Sequence, residues 1–297
     1  MKIEELRKIC VVGAGQMGAQ IAIQAAMHGF DVTLQDVSDE QLEKAIAGNR
    51  QHLDRRVAKG KMTTDLVEAT FARLSTTSSL KAACSEADFV IEAVVEILDV
   101  KREVFARLDK LCPPHTVLAT NSSYLGNSEI ASATERAELV VNMHFFYPPL
   151  VMQLVEVVKG AATSDETVQL TAELARRIGK QPVILHKELS GFLVNRILRA
   201  ITNEAYFLLE NGVASFEDID RACEMGLNHP LGPFKLGDFS GLDIGYEARL
   251  ENFRKSGDPD DRPPASLERR VQRGDLGRKT GRGFYDYSTD PPSPTED

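Results

Sequence analysis

Tryptophan is absent from the 297 residues, aromatic side chains make up 6% of them, and there are only four cysteines. Cys10, Cys84, Cys112 and Cys223 lie far apart with no C-x-x-C pair, which speaks against a disulfide framework and against a zinc site, so no metal is expected. A reducing cytoplasm is the expected compartment. Long apolar runs are missing as well: the stretch from Phe89 to Leu98 is interrupted by Glu92 and Glu96 and is too short to span a bilayer. The chain opens on charged residues and passes directly to an apolar strand without the apolar core of an export signal, so neither export nor membrane insertion is expected. Positive charge is in deficit, with 35 Lys and Arg against 44 Asp and Glu and a net charge of -9, so a nucleic-acid backbone would be repelled. A polyanionic small molecule would need a local basic patch.

What is present is an ordinary globular composition, 42% hydrophobic and 27% charged, at about twice the usual domain length of roughly 150 residues. Short apolar runs at 9–12, 31–35, 74–77, 89–94, 117–120 and 139–146 read as strands. Helical patterns at 16–28, from Ser38 to about Lys59, and at 79–86, 99–111 and 127–134 lie between them. Ser38 with Gln41 three residues on forms a capping box for the longest of these helices. Alternation of this kind predicts a Rossmann-type, mostly parallel sheet covered by helices on both faces. A strand at 152–158, a helix at 165–178 and a strand at 182–185 follow. Past His186 the pattern turns helical, with helices expected from Gly191 to Glu210 and from Phe216 to Met225. The expected division is an α/β domain over 1–188 and a smaller helical domain over 189–297, with a loop at 257–264 and a frayed tail from Pro291.

Gly13-Ala14-Gly15-Gln16-Met17-Gly18 stands between the first strand and the first helix, and Asp36 ends the next strand 18 residues beyond the last glycine. In such a turn Gly13 permits the tight bend, Gly15 admits a pyrophosphate against the backbone, and Gly18 lets helix and strand pack closely, with the helix N-terminus facing the phosphates. Asp36 would accept hydrogen bonds from both ribose hydroxyls and repel a 2'-phosphate. No Arg stands in the following Val37-Ser38-Asp39-Glu40, so the expected cofactor is NAD. The alternative for Asp36 is a carboxylate that serves the turn.

A second constellation is His144 and Glu156, on two apolar segments joined through Pro148 and Pro149. In a hairpin centred near Leu150, residues whose numbers sum to about 300 lie opposite each other, which would pair these two on one face. A carboxylate beside an imidazole fixes its tautomer and favours its protonated form, as a base acting on an alcohol requires. A core histidine satisfied by a convenient glutamate is the competing reading.

Asn121-Ser122-Ser123, His144-Phe145-Phe146, Leu154 to Val158, Gly191 to Arg196, Pro230 to Phe234 and Lys279 to Tyr285 together, in this order, resemble the 3-hydroxyacyl-CoA dehydrogenase family. The resemblance implies an NAD-binding domain, a helical domain that forms a homodimer, an active site in the cleft between them, and reversible oxidation of an L-3-hydroxyacyl-CoA. It makes His144 the base and Glu156 its orienting partner. Ser123 and Asn195 become hydrogen-bond partners of the substrate oxygen and the His144 region, and Glu96 and Lys101 residues of the cofactor site. The structural alternatives are a helix cap for Ser123, a buried polar residue for Asn195 and a solvated charge for Lys101. Coenzyme A carries several negative charges. The resemblance places its nucleotide tail against the helix after Asp36, where Arg50, Arg55, Arg56, Lys59 and Lys61 cluster, residues that would otherwise form a solvated helix end.

Tyr147 and Tyr124 depart from the family pattern and bear on the acyl pocket. In a regular strand Tyr147 would face away from His144 as core packing, whereas a strand bent at Pro148 would turn it toward the substrate. The expected activity is that of an NAD-dependent dehydrogenase of a short-chain L-3-hydroxyacyl-CoA. A dehydrogenase of a free hydroxy acid or other polar alcohol, and a non-catalytic NAD-binding protein, are the alternatives.

Overall fold

The computed structural model describes residues 2–296, with the backbone alone for Lys255, Ser256 and Asp260. The chain divides into two compact units, Met1–Leu193 and Val194–Asp297.

In the first unit the strands are β1 (Lys8–Val12), β2 (Asp31–Gln35), β3 (Leu74–Thr77), β4 (Phe89–Glu92), β5 (Val117–Thr120), β6 (Val140–Phe145), β7 (Leu154–Val158) and β8 (Gln181–Leu185). They form one sheet in the order β3-β2-β1-β4-β5-β6-β7-β8. The strands from β3 to β6 are parallel, β6 and β7 pair antiparallel, and β7 and β8 pair parallel. Strands β4, β5 and β6 are buried along their whole length, as expected where helices cover both faces of a sheet.

The helices are α1 (Gln16–Met27), α2 (Asp39–Ala58), α3 (Thr64–Phe71), α4 (Leu80–Cys84), α5 (Leu98–Leu111), α6 (Asn127–Ala131) and α7 (Asp165–Arg177). One core joins α1 and α7 to one side of the sheet through Ile21, Ala22, Ala25, Val168, Ala172 and Leu174. The other joins α4, α5 and α6 through Leu80, Phe105, Leu108 and Ile130, and it contains the free thiols of Cys10, Cys84 and Cys112. Ser38 caps α2, its hydroxyl accepting from Gln41 N–H at 3.3 Å.

Two features set the geometry of the functional edge. Successive strands wind outward in opposite directions from the β1–β4 pair, which leaves the crevice where α/β sheets bind ligands at the carboxyl ends of these strands. The reversal between β6 and β7 then brings the beginning of β7 to the edge where β6 ends, and the register opposes His144 to Glu156, as the hairpin arithmetic predicts. The turn between these strands is held by Lys180. Its buried ammonium donates to Pro149 O at 2.5 Å and Met152 O at 2.9 Å, and burial together with the Arg56 charge brings its pKa down to about 8.

The second unit consists of α8 (Val194–Glu210), α9 (Phe216–Gly226), α10 (Pro233–Ser240), α11 (Leu242–Ser256), α12 (Ala265–Arg273) and a small hairpin of β9 (Tyr285–Asp286) and β10 (Ser293–Pro294). Its core gathers Tyr206, Phe216, Phe234, Leu242, Leu267 and Phe284. Two buried carboxylates organise it. Asp220 accepts from Phe234 N, Lys235 N and Tyr285 Oη, and Asp238 accepts from Phe284 N, Tyr285 N and Tyr287 Oη. The segments around Phe234 and Phe284, recognisable in the sequence, therefore serve the architecture of this unit.

Two expectations are corrected, and one of the two readings of Tyr147 is excluded. The helix expected from Gly191 begins at Val194, because Gly191 (φ 77°) and Phe192 (φ 47°) are left-handed and cannot continue a right-handed helix. The tail from Pro291 is not frayed over its described length: Ser293 and Pro294 pair with β9, and Thr295 donates to Gly283 O at 2.8 Å. Tyr147 is not core packing, since β6 ends at Phe145 and the Tyr147 side chain is 60% exposed. Among the described residues no helix is long and apolar enough to cross a membrane.

Candidate active site

The glycine turn lies at the carboxyl end of β1, against the segment that leaves β4. Gly13 has φ 100°, and a Cβ there would stand 2.7 Å from Ala93 O; a Cβ on Gly18 would stand 1.8 Å from Gly13 O. These two glycines are required by the chain itself. Gly15 is different. A Cβ on it would meet no described atom within 4 Å, and it is the N-cap of α1 without a side-chain cap. Its backbone is open to a ligand at the N-terminus of a twelve-residue helix, with Gln16 and Met17 forming the first turn, and this is the arrangement that a pyrophosphate requires.

Asp36 takes up part of the role considered as its alternative. Its Oδ2 accepts from Ala14 N at 2.8 Å and its Oδ1 from Ser38 N at 3.0 Å. A carboxylate offers about four lone-pair sites, so these two bonds leave acceptor capacity for ribose hydroxyls while fixing the group beside the glycine turn.

At the ends of β5, β6 and β7 three side chains meet. Glu156 Oε2 lies 2.9 Å from His144 Nδ1, and Ser123 Oγ lies 3.0 Å from His144 Nε2. Glu156 is fully buried, and its Oε1 accepts from Leu193 N at 3.1 Å. An ionised Glu156 could only accept, which would place the ring proton on Nδ1 and turn the Nε2 lone pair to Ser123. Two rings hold the imidazole in place: Phe146 with centroids 4.7 Å apart and Phe192 at 5.5 Å. Phe192 reaches this position because the left-handed backbone at 191 and 192 turns it inward.

Glu96 and Lys101 stand beside this group, and neither is a simple surface charge. Lys101 is 1% exposed and donates to Glu92 Oε1 at 2.7 Å, which excludes the solvated reading. Glu96 lies 3.5 Å from the same ammonium. Burial would raise the Glu96 carboxyl, but the Ser122 hydrogen bond, the Lys101 charge and the N–H groups of Tyr124 and Ser123 outweigh it and hold the group below the ordinary carboxylate range.

Asn195 is in the first turn of α8, in the second unit. Arg55, Lys59 and Lys61 are exposed at and beyond the end of α2, whereas Arg56 is half-buried and its Nη1 is sealed without a hydrogen-bond partner among the described residues. Arg50 is engaged by Glu68 at 2.5 Å and stacks on Phe71 at 3.9 Å. Tyr124 is 45% exposed and donates its N–H to Glu96 at 3.0 Å.

Sequence reasoning passed over Ser122, Phe192 and Glu92. Glu92 carried a local signal, an acidic residue closing an otherwise apolar strand. Ser122 and Phe192 stand in the recognisable motifs, but their partners are distant in sequence.

Two family models divide the chain between them: "3-hydroxyacyl-CoA dehydrogenase, NAD binding domain" matches residues 8–189, and "3-hydroxyacyl-CoA dehydrogenase, C-terminal domain" matches residues 191–287. The chain is 39% identical to a 3-hydroxybutyryl-CoA dehydrogenase of Bradyrhizobium diazoefficiens, over 98% of each. It is 40% identical to the human mitochondrial hydroxyacyl-coenzyme A dehydrogenase, over 95% of this chain and 91% of the human one. Among solved structures, the (S)-3-hydroxybutyryl-CoA dehydrogenase PaaH1 of Ralstonia eutropha superposes with a TM-score of 0.87 at 38% identity, covering 96% of this chain and all (100%) of that one. A glycine turn open only at Gly15, and likeness to these proteins along nearly the whole sequence, lead to one conclusion: the chain belongs to the 3-hydroxyacyl-CoA dehydrogenase family.

Proposed function

We propose that this protein is an NAD-dependent dehydrogenase that oxidises an L-3-hydroxyacyl-CoA to the 3-ketoacyl-CoA and runs in reverse with NADH. The observation that carries the reading is His144, with Nδ1 occupied by buried Glu156 and Nε2 facing Ser123, on the sheet edge that also bears the glycine turn. Nε2 accepts the substrate hydroxyl proton, and Glu156 stabilises the imidazolium that results. Ser123 donates a hydrogen bond to the substrate oxygen and holds it within reach of Nε2. Gly13, Gly15, Gln16, Met17, Gly18 and Asp36 hold the cofactor, with Glu96 and Lys101 beside it. When bound, NAD supplies the acceptor for the hydride that leaves the carbinol carbon. Asn195 is assigned to substrate binding on the family resemblance.

A four-carbon acyl chain is the proposed substrate class, in keeping with the names of the Bradyrhizobium and Ralstonia proteins. Arg55, Lys59 and Lys61 are the proposed contacts for the CoA phosphates, with Arg56 behind them. A homodimer is proposed through the second unit, which exposes Phe207, Met225, Phe239 and Ile244. Sedimentation equilibrium should give twice the chain mass, and a monomer at micromolar concentration would refute this. Four unpaired thiols support a cytoplasmic location.

The deciding assay follows NADH oxidation with acetoacetyl-CoA, free acetoacetate and the pantetheine thioester of acetoacetate. Acetoacetyl-CoA should be turned over with a KM that rises with salt. Replacing Arg55, Lys59 and Lys61 with alanine should raise that KM about tenfold with kcat little changed. The pantetheine thioester should respond weakly to both changes. Better turnover of free acetoacetate would favour a dehydrogenase of polar alcohols, and no turnover of any of the three would leave a binding protein.

A further inference from the structure

The carboxylate of Glu96 faces three donors from one short segment of chain. Its Oε1 accepts from Ser122 Oγ at 2.5 Å, Ser123 N at 2.9 Å and Tyr124 N at 3.0 Å. Consecutive donors converging on one oxygen form an anion-binding nest, here filled by the protein's own side chain. The nest is the loop that leaves β5, and Glu96 belongs to the loop that leaves β4.

Glu96 is itself braced. The Lys101 ammonium lies 3.5 Å from its Oε2 and donates to Glu92 Oε1 at 2.7 Å, while Glu92 accepts from Thr120 Oγ1 and Val94 N, each at 2.7 Å. Glu92 and Lys101 are buried to within 1%. A buried ammonium between two carboxylates, with their remaining oxygens hydrogen-bonded, has one favourable arrangement and little freedom to leave it. Asn142 Nδ2 adds a further tie by donating to Ser122 O at 3.0 Å. The rigid end of this array is the β4–β5 pair, and its free end is the backbone of Ser123, whose Oγ lies 3.0 Å from His144 Nε2.

We infer that Glu96, braced by Lys101 and Glu92, is a positioning residue that fixes the Ser123 hydroxyl against His144 and thereby sets where the reacting oxygen of the substrate is held. This rests on the proposed role of Ser123 and His144, and it gives Glu96 and Lys101 a task beyond lining the cofactor site. Misplacement of a hydrogen-bonding group by about 1 Å costs on the order of a hundredfold in rate, so the effect belongs in kcat.

The test is a double-mutant cycle on the full-length protein, with kcat for acetoacetyl-CoA and KM for NADH measured in each variant. Glu96→Gln keeps the shape but removes the charge that Lys101 and the nest require. It should lower kcat about 10- to 100-fold, well beyond any change in the KM for NADH that the place of Glu96 beside the cofactor brings. In the Ser123→Ala background the same change should lower kcat by less than about threefold, because the hydroxyl it positions is gone. Ser122→Ala removes one donor of the nest, together with the acceptor of Leu125 N–H, while keeping the Glu96, Lys101 and Glu92 side chains. It should lower kcat severalfold and lose this effect in the same background, so the inference can be tested even if Glu96→Gln folds poorly. Multiplicative losses, or a loss confined to the KM for NADH, would overturn the inference while leaving the catalytic reading intact. If Ser123→Ala itself left kcat unchanged, the catalytic reading would fall, and the inference with it.

Discussion

Replacing His144 with alanine is expected to lower kcat by about 10²- to 10⁴-fold, the usual contribution of a positioned general base, with the dissociation constant for NADH nearly unchanged. The reason is geometric. Nδ1 is committed to Glu156, Nε2 is the ring nitrogen turned to Ser123, and Phe146 and Phe192 prevent the ring from turning elsewhere. Ser123 cannot substitute as base, because an unassisted serine hydroxyl remains protonated at neutral pH. Glu156→Gln should reduce kcat less, since an amide oxygen can still accept from Nδ1–H although it no longer supplies the charge. Glu156→Ala should in addition cost about 1–3 kcal/mol of stability, because it leaves Nδ1–H and Leu193 N–H without their buried acceptor. Stopped-flow turnover and fluorescence titration with NADH separate the two effects. Wild-type turnover in His144→Ala would remove His144 from the chemistry.

For the cofactor, kcat/KM should favour NAD over NADP by about two orders of magnitude, equivalent to roughly 3 kcal/mol. The proposed cause is Asp36, which would offer a carboxylate to the ribose hydroxyls and repel a 2'-phosphate. The structure adds a second consequence. Because Asp36 also accepts from Ala14 N in the glycine turn, Asp36→Ala should weaken NADH binding as well as narrow the preference. Asp36→Asn keeps an acceptor for the Ala14 N–H and should narrow the preference with a smaller loss of affinity. Equal kcat/KM for the two cofactors in the unaltered protein would refute the assignment.

The parts of the fold that could be read in the sequence are those whose cause is local. Strands β4, β5 and β6 are buried throughout and mostly apolar because helices cover both their faces, and Ser38 and Gln41 mark the start of α2 three residues apart. The His144–Glu156 pairing follows from counting, since in one antiparallel pair centred on the 146–153 connection opposite residues share a constant number sum. Helices α10, α11 and α12 were not read because the second unit is organised by single carboxylates acting at a distance: Asp238 holds the chain 46 and 47 residues further on. The same holds for Thr295, which anchors the tail through carbonyls at 283 and 284. In the candidate site, glycines, base and partner could be found from pattern. The bracing of Glu96 could not, because it joins two loops 26 to 28 residues apart through a lysine whose sequence neighbours give no sign that it is buried.

Helix α2 has twenty residues and is therefore about 30 Å long. Its first turn follows Asp36, the residue proposed to select the cofactor, and its last turn and the residues beyond carry the charges proposed to receive the substrate's phosphates. On these proposed assignments the helix would act as a ruler between the recognition elements for two different nucleotides. A single residue inserted in its middle would turn the basic end by about 100° relative to the Asp36 end, whereas four residues would restore the heading to within about 40° at the expense of about 6 Å of extra length. Changes in the length of this helix would therefore not be graded: one-residue changes would point the basic arm in the wrong direction, and only steps near a whole turn would keep it on the same side of the helix as the Asp36 end.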